Sequence, residues 1–205
     1  MLTVVTQRQS RREEYSATTR RALLDSATRL FAEQGYAKTS LDEIAAGARV
    51  TKGALYGHFA SKQDLFRAVL QELEAATMAQ VLEAAADAPT PWEGARTGLD
   101  AFLRACCNTV YSRVVMREGP IALPYAEWIA AEELNSYAVV RDMVQALVDS
   151  DEVDPVPVET AAHIFHAIIG AAAMLIAGAE PADQPRAFEE ARAVVMRLAE
   201  AVRHR

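Results

Sequence analysis

The sequence predicts an all-α protein in two parts: a small helix-turn-helix unit over residues 1–62 and a larger helical body over 63–205. Two observations carry this. The stretch from Thr39 to Lys62, T-S-L-D-E-I-A-A-G-A-R-V-T-K-G-A-L-Y-G-H-F-A-S-K, packs three helix starts into 24 residues. The rest of the chain repeats apolar residues at helical spacing.

The caps define the short stretch. Ser40 stands three residues before Glu43, the spacing of a capping box. Leu41, Ile44, Ala45 and Ala48 follow on one helical face. Arg49-Val50 leaves little room to turn. Thr51 can cap a second helix, with Leu55 and Phe59 four apart on its inner face. Ser61 and Asp64 open a third helix at once. Two short helices across a tight turn form a helix-turn-helix, whose second helix is shaped to enter the DNA major groove.

On that reading the outward residues are Lys52, Gly53, Ala54, Tyr56, Gly57 and His58. Small residues let the backbone approach base edges. Lys52 can donate to a purine edge or a phosphate. Tyr56, His58 and Lys62 suit phosphate contacts, and Thr51 can donate from a helix N-terminus. Ser40 and Arg49 complete the candidate DNA-binding set. The same residues are equally at home as the ordinary surface of two short packed helices.

A resemblance adds to this. Leu23-x3-Ala27-x2-Leu30-Phe31-x3-Gly35-Tyr36, then Thr39-Ser40, Ile44-Ala45 and V-T-K-G-A-L-Y-x-H-F-x-S-K-x-x-L-F from Val50 to Phe66, resembles the DNA-binding domain of TetR-family transcriptional regulators. The likeness covers about the first third of the chain. It implies a three-helix DNA-binding domain on an all-α ligand-binding body, acting as a homodimer, with some inducer that lowers DNA affinity. It also implies that Thr51, Lys52, Gly53, Ala54, Tyr56, His58 and Lys62 face DNA while Leu55 and Phe59 are buried. Two positions depart from the family pattern. Arg49 stands where glycine is usual, so it is expected at positive φ with strain of about 1–2 kcal/mol. Gly57 stands where an aromatic residue is common.

Charge is distributed accordingly. The chain of 205 residues carries a net charge of −7, yet residues 1–62 hold 10 Lys/Arg against 6 Asp/Glu, and 63–205 hold 11 against 22. A basic end faces nucleic acid, and the acidic remainder orients the approach. Residues 1–16 are polar, with Arg8, Arg11 and Arg12, and read as a flexible arm. No apolar h-region stands between Met1 and Tyr15, so a cytoplasmic protein is expected.

The elements then follow in order. A helix over 17–34 carries the stripe Leu23, Leu24, Ala27, Leu30 and Phe31 and stops at Gly35. A long helix from Ser61 to about Ala86 spans roughly 37 Å and is expected to act as a lever between the two parts. Thr90-Pro91-Trp92-Glu93 combines a Thr cap, Pro at the first position and Glu at the third, so the next helix runs from there to about Tyr111. The chain is expected to break around Arg117-Glu118-Gly119-Pro120. Pro124 opens a helix to about Asp149, and further helices cover 158–178 and 186–203.

The helix over 158–178 is rich in Ala and Gly. Its length approaches a membrane span, but His163 and His166 and the small residues favour a helix buried at an interface, so no membrane association is expected. The expected dimer interface pairs Ala167, Gly170, Ala171, Met174 and Gly178 with Val194, Val195 and Leu198 of the last helix, making a four-helix contact between two copies. Two-fold symmetry then asks for a palindromic DNA site.

Candidate ligand-pocket residues in the body are Phe102, Cys106, Met116, Tyr125, Trp128, His163, His166 and Met174, for a small hydrophobic or amphipathic molecule. Each also suits an ordinary core position. Cys106 and Cys107 are adjacent, which disfavours a mutual disulfide, and read as small buried hydrophobes. Glu159, His163 and His166 have helical metal spacing but lack a further ligand cluster, so no metal is expected, and no cofactor. The sequence holds no nucleophile elbow or phosphate-cradling glycine loop, so an enzyme is not expected. The reading from another class is a small-molecule carrier or enzyme with a vestigial DNA-binding domain.

Overall fold

The computed structural model describes residues 2–132 and 136–203. Among the described residues the named elements are all helices, and the chain divides into two compact units, Met1–Leu70 and Gln71–Arg205.

The first unit holds α1 (Leu2–Gln34), α2 (Leu41–Gly47), α3 (Lys52–Tyr56) and the start of α4 (Lys62–Ala86). Helix α1 begins at Leu2, where the sequence reading had an arm up to residue 16. Between Leu2 and Gln34 there is no Gly or Pro to interrupt the backbone ladder. The side chains of Arg8, Arg11 and Arg12 fall outside the described residues. Gly35 takes φ 83° and ends the helix, its N–H donating to the Phe31 carbonyl at 3.0 Å.

The core of this unit is fully closed. Leu23, Phe31, Ile44, Leu55, Leu65 and Phe66 are inaccessible to solvent. Phe31, Tyr36 and Phe66 form an aromatic trio with centroids 5.1–5.9 Å apart. Helix α2 sits close on α1. Ser26 Oγ donates to the Ile44 carbonyl at 3.0 Å, and a Cβ at Gly47 would stand 2.4 Å from that same Oγ. Only glycine permits this approach without displacing Ser26.

The second unit contains α5 (Pro91–Ala105), α6 (Thr109–Tyr111), a π-helical run Ser112–Glu118, α7 (Gly119–Ala122), α8 (Tyr125–Glu132), α9 (Ala138–Asp149), α10 (Val158–Gly178) and α11 (Gln184–Glu200). Helix α5 starts as the sequence indicates, with Thr90 Oγ1 accepting from Glu93 N–H at 3.3 Å. It ends at Ala105, short of the expected Tyr111, and Asn108 recaps the chain through Val110 and Tyr111 N–H at 2.9 and 3.2 Å. The expected break at 117–120 is absent. The π-helical run ends at Glu118 and α7 begins at Gly119, with Pro120 in its first turn.

Helices α5, α10 and α11 share a core of Leu103, Cys106, Tyr111, Ala173, Ile176 and Val195. Helices α5 and α11 are also tied by charge. Asp100 accepts from Arg104 Nε at 2.7 Å and from Arg192 Nε. Burial pushes the Asp100 carboxyl up, but hydrogen bonds and charge from Arg192 and Arg104 outweigh it and hold it below the ordinary aspartate value.

Candidate nucleic-acid interface and body cavity

The interface is built on local hydrogen bonds. Ser40 and Glu43 complete both halves of a capping box at 2.8 and 3.2 Å. Thr51 Oγ1 accepts from Ala54 N–H at 3.2 Å and keeps its own proton for another acceptor. Between these caps Arg49 stands at φ 57°, in the left-handed region, with its side chain at the surface. The Val50 N–H donates back to the Ala45 carbonyl at 3.0 Å, which closes the turn. Ser61 Oγ accepts from Asp64 N–H at 3.0 Å and opens α4.

Helix α3 therefore presents Thr51, Lys52, Gly53 and Tyr56 to solvent, with Ala54 and His58 half-buried and Leu55 and Phe59 turned in. Tyr56 is 50% exposed. Nothing within the fold demands glycine at 53: the nearest atom to an added Cβ is Thr51 Oγ1 at 3.9 Å.

The two candidate lysines differ. Lys52 Nζ forms an exposed pair with Asp42 at 2.7 Å, and the Asp42 hydrogen bond and charge raise its pKa. An exposed pair is worth little, so Lys52 can exchange Asp42 for a phosphate or base. Lys62 is engaged within the fold. Its Nζ donates to the Tyr36 and Thr39 carbonyls at 2.9 and 3.0 Å and lies 4.3 Å from the Tyr36 ring centroid. The reason is geometric: orphan carbonyls after α1 lie beside the N-terminal turn of α4. Asp42 and the Tyr36 carbonyl escaped the sequence reading, because neither partner is close in sequence.

The second unit contains a partly open cavity of about 420 Å³ lined by α4, α5, α9, α10 and α11. Of the expected pocket residues, Phe102, Met116 and His166 line it, and Ser136 Oγ and His166 Nε2 share a hydrogen bond of 2.8 Å. The other five stand elsewhere. Cys106 is fully buried in the helical core. Tyr125 is 70% exposed, and Trp128 is buried beside it with ring centroids 5.8 Å apart. His163 is exposed, with Nδ1 2.9 Å from the Tyr137 hydroxyl and 2.8 Å from the Glu159 carbonyl. Met174 belongs to the same exposed stripe of α10 as Ala167, Ala171 and Gly178. The sequence reading missed the walls supplied by α4 and α9, notably Glu74, Met78, Val140 and Met143. Their signal is ordinary amphipathicity, which does not separate a cavity wall from a core.

Among the proposed interface residues, Ala167, Ala171, Met174, Gly178, Val194 and Leu198 are exposed. Gly170 is half-buried on the cavity wall, and Val195 is corrected to the core, where it is 3% exposed. A residue next to Val194 on a helix points some 100° away from it. The Cys107 thiol is pushed up by burial despite the charge of Arg104, away from a reactive thiolate.

Comparisons with known proteins fall on both units. The model for bacterial regulatory proteins of the tetR family matches residues 23–69. The model for the tetracyclin repressor-like C-terminal domain matches residues 92–202, more than half of the chain. The transcriptional regulator AcrR of Shigella flexneri is 58% identical over 48 residues, which is 23% of this chain and 22% of that protein. The aligned stretch thus covers less than a quarter of that relative's length. A TetR-family transcriptional regulator of Pectobacterium atrosepticum shares the fold at a TM-score of 0.81 and 24% identity, covering 94% of this chain and 97% of that one. The regulator FadR of Bacillus subtilis, solved in complex with stearoyl-CoA, does so at 0.71 and 17% identity, covering 86% and 95%. With one family model on each unit and the whole fold shared, the chain belongs to the TetR family of bacterial regulatory proteins.

Proposed function

We propose that this chain is a cytoplasmic DNA-binding transcriptional repressor that acts as a homodimer on a palindromic operator and is released by a small molecule held in the body cavity. The observation that carries the reading is the outer face of α3, where Thr51, Lys52, Gly53 and Tyr56 stand exposed on a helix capped at its N-terminus. A phosphate at that cap meets backbone N–H groups and the Thr51 hydroxyl, while Lys52 and the bare Gly53 backbone meet base edges.

Dimerisation is supported by the uncovered apolar side chains of α10 and α11. Leu175 is 68% exposed and Val194 59%, with Met174 next to the first and Leu198 one turn on from the second. A second copy offering the same face removes them from water. Ligand control is supported by the cavity, and the FadR relative was solved with stearoyl-CoA. A ligand releases DNA only to the extent that it binds the released conformation more tightly than the bound one.

The test is fluorescence anisotropy of the purified protein on DNA from its own upstream region at two salt concentrations, with footprinting. The expected result is a protected palindrome whose affinity falls steeply with salt. Sequence-independent, salt-insensitive binding would favour the carrier or enzyme reading.

A further inference from the structure

We infer that Lys38 and Arg49, at the two ends of α2, hold the phosphate backbone of the bound DNA and set the salt dependence of binding. This rests on the proposal that α3 reads an operator, and it adds the residues that anchor the strand beside it. In a helix-turn-helix the second helix lies in the groove while the first crosses the backbone, so cations at the ends of the first stand over phosphates. Lys38 comes two residues before the Ser40 cap, and Arg49 directly follows the Ala48 C-cap. Both side chains are exposed.

The other cations of the first unit are engaged by the fold. Arg21 pairs with Asp25 at 2.9 Å, Arg29 with Glu33 at 3.1 Å, Lys52 with Asp42 at 2.7 Å and Arg67 with Asp64 at 3.8 Å. Arg20 lies over the Phe59 ring at 5.3 Å, and Lys62 donates to the Tyr36 and Thr39 carbonyls. The Lys38 and Arg49 side chains have no hydrogen bond or ion pair among the described residues. The carboxylates of α2 are turned to other partners: Asp42 to Lys52, and Glu43 to the Ser40 N–H and hydroxyl at 2.8 and 2.7 Å. A cation without an internal partner meets a phosphate, and releases its counterion, with no contact to give up first.

The backbone at Arg49 points the same way. Its φ of 57° lies in the left-handed region, which strains any side chain and suits glycine. The turn is closed by main-chain bonds, from Arg49 N–H to the Ala46 carbonyl and from Val50 N–H to the Ala45 carbonyl, both at 3.0 Å. Glycine would make both bonds equally well. The arginine side chain therefore adds strain to the turn without adding an internal contact among the described residues. What it adds is a guanidinium at the surface, whose planar fork matches a phosphate.

The test is fluorescence anisotropy of the full chain on the operator found by footprinting and on a random-sequence duplex of equal length, across a series of salt concentrations. Arg49→Gly and Lys38→Gln should each flatten the slope of log affinity against log salt by about 0.9 for every half-site engaged. Between about 50 and 200 mM salt, each lost contact then reduces the fall in affinity by about threefold. Both duplexes should weaken alike, because phosphate contacts carry no sequence information. Arg49→Lys should keep the wild-type slope, and so should Arg21→Ala, which removes a cation already paired on α1. Thermal unfolding of Arg49→Gly should show a midpoint no lower than the wild type, since the strain is gone. Arg49→Asn, also tolerated at positive φ, gives a second uncharged variant if glycine loosens the turn. An unchanged slope in either neutral variant, with the wild-type salt dependence intact, overturns the role of that residue and leaves the DNA-binding reading standing. An equal flattening in Arg21→Ala, or a loss confined to the operator duplex, overturns the inference in the same way. Wild-type protein that binds neither duplex overturns the DNA-binding reading itself.

Discussion

The two units of this chain solve opposite packing problems. The first fills its interior: Leu23, Phe31, Ile44, Leu55 and Phe66 touch no solvent, and its turns are fixed by side-chain caps at Ser40 and Thr51. The second leaves about 420 Å³ unfilled and runs its backbone through a π-helical stretch. A filled interior holds the exposed face of α3 in one geometry. An unfilled one can be occupied from outside and reshaped by what occupies it. The difference teaches that rigidity and vacancy are divided between the units, reading surface in one and cavity in the other.

The largest expected effect tests that division with one side chain in both places. Ile44→Ala, in the closed core, should cost about 2–5 kcal/mol. Ile168→Ala, on the cavity wall, should cost about 1 kcal/mol, because a side chain already facing empty space has fewer contacts to lose. Chemical denaturation of both variants, fitted for each unit, checks this. Equal costs would mean that the two interiors are packed alike.

Next come the two lysines. Lys62→Ala removes two hydrogen bonds from a charged group to carbonyls and a contact with the Tyr36 ring, and should cost about 1–3 kcal/mol. Its salt dependence of DNA binding should match the wild type. Lys52→Ala should change stability by under about 0.5 kcal/mol and alter base preference or salt slope. Thermal unfolding and anisotropy on each variant separate them, and exchanged behaviour would return Lys62 to the DNA face.

A smaller effect concerns the ion pairs between α5 and α11. The folded-state pKa of Asp100 is lowered, so its contribution to stability is fully present above the ordinary aspartate value near 3.9 and is lost as pH falls through the lowered folded value. Stability followed from neutral to strongly acidic pH should drop less over that window in Asp100→Asn. Identical acid profiles would show that Arg104 and Arg192 are not coupled to folding through Asp100.

The smallest stability change belongs to Gly53→Ala, expected to range from neutral to stabilising by up to about 1 kcal/mol, since the fold has room and alanine favours helix. Operator affinity should nevertheless fall. Unchanged affinity would remove the close backbone approach from the reading of α3.

Much of this was legible in the chain itself. Ser40 with Glu43, Thr51 with Ala54, Thr90 with Glu93 and Gly35 at positive φ act over four residues or fewer, so spacing alone predicts them. The inward face of α1 follows from period alone, whereas the apolar stripes of α4 and α11 include Leu82, Val194 and Leu198, which stay exposed. The start of α1 at Leu2, the recapping by Asn108 and the π-helical path into Pro120 did not follow, because helix ends and register are decided by small local balances.

The sequence by itself determined the all-α class, the caps and turn of the reading unit, and which residues α3 shows to the outside. These depend on interactions between near neighbours and on helical period. Only the tertiary structure decided that Lys62 turns inward to carbonyls 23 and 26 residues away, that Asp100 meets Arg192 92 residues on, and that Glu74 borders an empty space. An apolar face predicts burial but not what it is buried against, and a cavity is the place where several such faces fail to meet.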